Sequence, residues 1–332
     1  MLVVTGGAGF LGSAVVWRLN RLGMEDILIV DHLANGDKWR NLLPLRFRDY
    51  LEKDEFLRFI TTDGHSTWSS HVQSGIDAII HLGACSSTTE QDASYLIRNN
   101  FWYTKQLALY ALRNGIRFIY ASSAATYGNG ACGFSDDETK LNDYRPLNMY
   151  GYSKQLFDVW AKNNGLLDSI VGLKYFNVFG PNEYHKKDMR SLVIKAYEQI
   201  VSTGRIRLYR SHRNDYADGE QKRDFLYVKD AVEMTLHFLE DKDSNGIFNI
   251  GSGRAGTWNS LASAIFKALG KPEDIEYIDM PENIRDRYQY YTCADITKLR
   301  NAGFDKPTTP LDEAVGDYVT NYLVPHRRLG EE

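Results

Sequence analysis

Tyr150-Gly151-Tyr152-Ser153-Lys154 places a phenol and an ammonium four residues apart. On a helix, positions four apart share one face, so both side chains reach the same space. A nearby positive charge favours tyrosinate and draws a phenol with an ordinary pKa of about 10 toward working pH. Such a tyrosine takes a proton from an alcohol while hydride leaves the alcohol carbon for a nicotinamide. Upstream, Tyr120-Ala121-Ser122-Ser123-Ala124-Ala125-Thr126-Tyr127-Gly128 follows an apolar run. A serine at that strand end, Ser123, is placed to orient the same alcohol. Near the N-terminus, Gly7-Ala8-Gly9-Phe10-Leu11-Gly12 reads as GxGxxG, and Gly6, Gly9 and Gly12 read as GxxGxxG. Glycines here allow a tight turn, close approach of backbone to a pyrophosphate, and close packing of helix on strand. Asp31 ends the next apolar run, where a ribose hydroxyl is read. It favours a free 2′-hydroxyl and hence NAD. His32 and Lys38, and more distantly Lys53, instead suit a 2′-phosphate and NADP.

These groups need a scaffold, and the pattern supplies one. Leu2–Thr5, Ile27–Val30, Ala78–His81, Arg117–Tyr120 and Ile170–Lys174 are short apolar runs. Between them, residues 11–22, 92–114 and 149–163 have helical spacing. Alternating strands and helices predict βαβ units: an α/β, Rossmann-type, doubly wound parallel sheet. Beyond Gly180-Pro181 the pattern is less regular. Helices are expected at 189–203, 230–240, 257–269, 295–301 and 311–322, strands at 225–228 and 247–250, and a polar loop at 210–221. This predicts a smaller C-terminal α/β substrate domain. The expected division is 1–176 plus roughly 222–251 for the dinucleotide, and roughly 177–221 plus 252–332 for substrate.

The composition narrows the class. The 332 residues carry 39 Lys+Arg against 43 Asp+Glu, a formal net charge of −4, which argues against a nucleic-acid coat or a polybasic membrane anchor. A hydrophobic content of 43% with 13% aromatic supports a sizeable core. No apolar stretch is long enough to span a membrane, and residues 1–10 lack a signal-peptide pattern. Three scattered cysteines, Cys85, Cys132 and Cys293, support neither a disulfide framework nor a CxxC metal site, and a reducing cytoplasm is expected. No metal is expected.

The glycine turn, Ser123 and the Tyr150/Lys154 pair resemble the extended short-chain dehydrogenase/reductases that act on nucleotide sugars. His81-Leu82-Gly83-Ala84-Cys85-Ser86-Ser87-Thr88-Thr89-Glu90, the run 121–128, and Tyr175-Phe176-Asn177-Val178-Phe179-Gly180-Pro181 followed by His185-Lys186 are similar to the members that epimerise ADP-heptose. Lys222-Arg223-Asp224-Phe225, Phe248–Ala255 and Arg287-Tyr288-Gln289 extend the similarity over nearly the whole chain. The resemblance implies epimerisation at C6″ through a transient 6″-ketone, with bound NADP (NAD possible), for the inner-core heptose of lipopolysaccharide. It implies catalytic roles for Ser123, Tyr150 and Lys154, and a second acid/base at Lys186, with Lys187 as its competitor. Dinucleotide contacts are implied for Gly6, Gly9, Phe10, Leu11, Gly12, Asp31, His32, Lys38, Lys53, Leu82, Gly83, Ala84, Cys85, Ser86, Asn99, Lys154 and Val178. Substrate contacts are implied for Ser123, Asn177, Asp188, Lys195, Tyr209, Arg223 and Tyr288. Arg223 also makes independent sense, because a guanidinium grips a diphosphate bidentately. A homo-oligomer, specifically a homopentamer, is implied as well. The 210–221 stretch is longer than usual for the family and lies beside the expected nucleotide pocket.

Three rivals were weighed on residues. A 4,6-dehydratase needs Asp-Glu two and three residues after the strand-end serine, where Ala125 and Thr126 stand. A UDP-hexose 4-epimerase shares the Ser/Tyr/Lys trio but has no use for Lys186. A dinucleotide sensor without turnover has no use for the trio.

Overall fold

The computed structural model describes residues 1–61, 75–285 and 288–331. In chain order the elements are β1 (Leu2–Thr5), α1 (Phe10–Arg21), β2 (Ile27–Asp31), β3 (Asp49–Glu52), α2 (Lys53–Thr61), β4 (Ala78–His81), α3 (Ala93–Leu96), α4 (Tyr103–Arg113), β5 (Arg117–Ser123), α5 (Met149–Asn163), β6 (Val171–Tyr175), β7 (Asn177–Phe179), α6 (Leu192–Thr203), β8 (Ile206–Tyr209), β9 (Lys222–Tyr227), α7 (Val228–Glu240), β10 (Gly246–Ile250), β11 (Ala255–Thr257), α8 (Trp258–Leu269), β12 (Ile275–Ile278), α9 (Glu282–Arg285), α10 (Thr297–Asn301) and α11 (Leu311–Tyr318).

Seven strands form one parallel sheet in the order β10-β6-β5-β4-β1-β2-β3. β2 and β10 are buried at every position, as a sheet covered on both faces requires. The strand order reverses at β1, whose neighbours are β2 and β4. In an open parallel sheet, ligands bind in the crevice beyond the strand ends at that switch point. Thr5, His81 and Ser123 all stand at such ends. His81, fully buried, ties three elements: Nδ1 lies 2.6 Å from Thr5 Oγ1 and Nε2 lies 2.8 Å from Thr104 Oγ1. Burial pushes its imidazole well below the usual range, so it is a neutral structural histidine.

The expected strands and helices are present, with three differences. The expected strand at 225–228 covers Lys222–Tyr227 and pairs with β7 and β11 in a separate three-stranded sheet. The long helix at 92–114 contains a wider π-helical stretch, Ile97–Trp102, which turns buried Asn100 toward the site. The helix expected from 189 starts at Leu192, preceded by a tight turn over Tyr184–Met189. Its start is fixed by the buried Glu183 carboxylate, which accepts the Ser191 N–H and, at 2.7 Å, the Ser191 hydroxyl. A carboxylate there complements the positive end of the helix dipole. β8 and β12 form a further parallel pair.

Candidate active site

The glycine turn closes through the Gly9 N–H donating to Gly6 O at 2.9 Å. Gly6 has φ +69°, and a Cβ there would lie 2.6 Å from the Gly83 nitrogen. A Cβ at Gly12 would lie 2.1 Å from Gly6 O, so neither position admits a side chain. Gly9, the N-cap of α1, brings no capping side chain, which leaves first-turn N–H groups for phosphate oxygens. Asp31 is buried, and its Oδ2 accepts the Ala8 N–H at 2.9 Å, locking the turn to the end of β2. Lys38 Nζ sits 2.6 Å from Asp31 Oδ1. His32 Nδ1 lies 3.0 Å from Glu52 Oε2, and Lys53 donates to Asn99 Oδ1 at 2.7 Å.

A cavity of about 690 Å³ runs from this turn past the ends of β4 and β5. Gly6, Gly9–Gly12, Asp31, Lys38, Leu82–Ser86, Ser123, Tyr150, Lys154, Asn177, Val178 and Lys186 line it. A smaller pocket of about 120 Å³ at its Asp31 end adds His32, Lys53 and Asn99. The expected dinucleotide contacts therefore line two adjoining cavities that share Gly6, Asp31, Lys38, Gly83 and Ala84. Their walls depend on a residue the sequence reading missed. Asn100 accepts the Cys85 N–H at 2.9 Å, donates to Cys85 O at 3.0 Å and donates to Ser153 Oγ at 3.0 Å. It clamps the 82–86 loop to α5. The only sequence signal was its pairing with Asn99.

Asn148 caps α5 by accepting the Gly151 N–H at 2.8 Å, which sets the phase of Tyr150 and Lys154 on the cavity side. The Tyr150 hydroxyl and Ser123 line the same cavity, and the Ser123 Oγ accepts the Ala125 N–H at 3.1 Å. The expectation that Lys154 draws Tyr150 downward is not met. Burial pushes Tyr150 up, the Ser123 hydroxyl opposes it, and Cys85 adds to the rise. Lys154 Nζ instead donates to Ala121 O at 2.8 Å, and burial pushes its ammonium down to about 8. Desolvation outweighs the lysine's charge on this face.

Lys186 and Lys187 separate cleanly. Lys186 lines the large cavity with Tyr150 and Ser123, its Nζ 5.2 Å from the Phe10 ring centre. Burial lowers it, and Glu183 opposes the shift. Lys187 has φ +49° and is exposed, which turns it away from its neighbour. The loop is stitched to the glycine turn by Asn41, which donates to Ala8 O and Asn182 O, both at 3.1 Å. Asn182 in turn donates to Ser13 Oγ at 2.9 Å. Asn41 and Asn182 went unread, because their partners lie far along the chain.

A second cavity of about 630 Å³ adjoins the first and shares Leu192 and Trp258 with it. Lys195, Tyr209 and Tyr288 line it, along with Arg205 and Arg207. Two expected substrate contacts lie elsewhere. Asp188 is exposed and borders neither cavity, because the left-handed turn at Lys187 carries it outward; its carbonyl accepts Lys195 Nζ at 2.6 Å. Arg223 is buried behind the wall, 5.5 Å from the Trp258 ring and 5.3 Å from the Tyr288 ring. Its guanidinium donates to Lys222 O at 2.9 Å and to Gln289 O. Arg287 lies outside the described residues. The 210–221 stretch is a loop as expected, closed by Ser211 N–H to Asp218 Oδ1 at 2.7 Å and packed on Tyr290. Among the described residues, no group of three His, Cys, Asp or Glu is placed to hold a metal, and no helix is long and apolar enough to cross a membrane.

A sequence model of the NAD dependent epimerase/dehydratase family matches residues 2–251. An ADP-L-glycero-D-manno-heptose-6-epimerase of Nitratidesulfovibrio vulgaris is 52% identical, covering 97% of this chain and 98% of its own. Another of Fusobacterium nucleatum is 45% identical with the same coverage. The crystal structure of the Helicobacter pylori ADP-L-glycero-D-manno-heptose-6-epimerase shares the fold, with a TM-score of 0.79, 24% identity, and coverage of 96% of this chain and 95% of that one.

Proposed function

The chain belongs to the NAD dependent epimerase/dehydratase family, on the branch of the ADP-L-glycero-D-manno-heptose-6-epimerases, and from that membership we propose that it converts ADP-D-glycero-D-manno-heptose to the L-glycero epimer by inversion at C6″. The observation that carries this reading is that Tyr150 and Lys186 border one cavity. Inverting a carbinol carbon through a ketone needs a proton relay on each side of it, and these two side chains come from different elements. Tyr150, oriented by Ser123, takes the proton of the C6″ hydroxyl on one side. The sugar then turns within the cavity, and Lys186 gives a proton to the C6″ oxygen on the other. When bound, the nicotinamide supplies the hydride acceptor and donor. Lys154, held by Ala121 O, orients the nicotinamide ribose. The seven-stranded layer, 1–176 with 222–251, carries the dinucleotide, and 177–221 with 252–332 carries the sugar nucleotide. Asn177, Lys195, Tyr209 and Tyr288 contact the substrate; Arg223 backs the aromatic wall. Cytoplasmic synthesis of lipopolysaccharide inner-core heptose, by a homo-oligomer such as a pentamer, completes the proposal.

The reading is tested by redox balance. Incubation with ADP-D-glycero-D-manno-heptose is expected to yield the epimer while absorbance at the reduced-nicotinamide band stays flat. Stoichiometric release of reduced cofactor would make the protein a dehydrogenase.

For the cofactor we propose NADP, with NAD accepted. Lys38 and Lys53 stand at the Asp31 end of the cavity, and Lys38 already neutralises the carboxylate that would repel a 2′-phosphate. Lys38→Ala removes one charge-assisted contact and uncovers Asp31. It is expected to weaken NADP binding about tenfold in a competition titration, leaving NAD within about twofold. A wild-type preference for NAD, unaffected by Lys38→Ala, would show that Asp31 dominates.

A further inference from the structure

The proton relays do not use the charges that lie behind them. Asp158 on α5 and Lys174 on β6 are both fully buried, with Nζ and Oδ2 3.6 Å apart. Burying such a pair is costly, and well-packed apolar residues are often as stable. Their hydrogen bonds show what the pair does. Asp158 Oδ2 accepts the Ser122 hydroxyl at 2.7 Å, and Oδ1 accepts the Tyr120 hydroxyl at 2.9 Å. Lys174 Nζ donates to Thr126 Oγ1 at 2.9 Å, and that hydroxyl donates to Ser123 O at 2.8 Å. Lys174 also lies 4.4 Å from the Tyr127 ring centre. The pair therefore grips the chain on both sides of Ser123. Asp158 also follows Lys154 by four residues on the same helix face.

We propose that Asp158 is a positioning residue: with Lys174 it fixes the strand end that carries Ser123, and it supplies the negative charge that holds the Lys154 ammonium in place. Among the described residues facing Lys154, Asp158 is the acid whose charge is supported: burial raises its carboxyl too, but the Lys174 ammonium and the Ser122 and Tyr120 hydroxyls oppose that rise. His81 on β4 is kept neutral by burial, and burial raises the Cys85 thiol and the Tyr120 and Tyr150 phenols. Burial lowers Lys154 and Asp158 opposes the shift, leaving the ammonium at about 8. The second half of the proposal concerns a charge, and stands apart from the epimerase reading; the first half rests on that reading for the reaction that Ser123 serves.

The test is competitive acetylation of the purified full chain with acetic anhydride across pH, read as mass on the peptide carrying Lys154. The wild type is expected to show a Lys154 midpoint near 8. Asp158→Asn is expected to lower it by about one unit or more, and Asp158→Glu to restore it. Asp158→Asn leaves Lys174 unpaired, so Asp158→Asn combined with Lys174→Met is the folded counterpart, with the same lowering expected. A midpoint that stays put in the folded variants overturns the proposal. In turnover, the alkaline limb of the kcat profile is expected to move the same way. A wild type that fails to turn over ADP-heptose overturns the epimerase reading and leaves the labelling result standing.

Discussion

Lys186→Met is expected to abolish epimerisation from either epimer, with kcat falling roughly a hundred- to ten-thousand-fold. In the proposed mechanism one tyrosine serves one side of C6″, because α5 fixes its place on the cavity wall. If the sugar turns as proposed, the ketone oxygen would point away from Tyr150 and need another donor. Lys186 borders the same cavity, and burial lowers its ammonium, bringing proton exchange closer to neutral pH. Methionine keeps the length and the packing on Phe10 while removing the proton. Hydride transfer on the Tyr150 side is expected to survive, visible as one transient turnover of the matching epimer in stopped-flow absorbance. Lys187→Met, on the exposed left-handed turn, is expected to leave kcat within about twofold. Normal epimerisation by Lys186→Met with loss in Lys187→Met would move the role to the neighbour. Indifference to both would remove the two-relay mechanism.

Tyr150→Phe is expected to lose a similar factor in kcat while the fold and dinucleotide binding persist. The ring remains on α5, and the glycine turn and Lys154 are untouched. Circular dichroism and dinucleotide titration check those two points, and turnover checks the third. The pH profile carries a further sign. Burial raises Tyr150, so its phenol largely holds its proton at neutral pH, and the phenolate fraction able to take the alcohol's proton in the proposed mechanism grows as pH rises. Turnover is therefore expected to rise with pH through the neutral range, and a profile flat there would contradict the role. Near-wild-type epimerisation by Tyr150→Phe would contradict the role.

How legible the site was depended on whether a residue's partner lay nearby in sequence. The glycine turn was readable because Gly12 meets the Gly6 carbonyl within the same turn, whereas the close approach of Gly6 to Gly83 at the end of β4 was not. Tyr150 and Lys154 were readable because one helix places both. By contrast, β3 and α2 went unread although Lys53 had been singled out. β3 is an edge strand with only Leu51 buried, and α2 buries only Phe56 and Ile60, too few apolar positions to show a period. Lys174 sits in a strand that reads as an apolar run, and nothing in its spacing points to Asp158 on another element. Arg223 was read from its chemistry alone. The fold turns that guanidinium onto two backbone carbonyls and two aromatic rings. Long-range burial, invisible to local pattern, decided each of these cases.

The central claim is that hydride leaves C6″ and returns to it through a bound nicotinamide, while protons move at oxygen only. Proton NMR of ADP-D-glycero-D-manno-heptose incubated with the protein in D2O tests this directly. The account predicts conversion to the L-glycero epimer with full protium retained at C6″. Deuterium at C6″ would mean that the carbon itself is deprotonated, and either that or an absence of conversion would contradict the account.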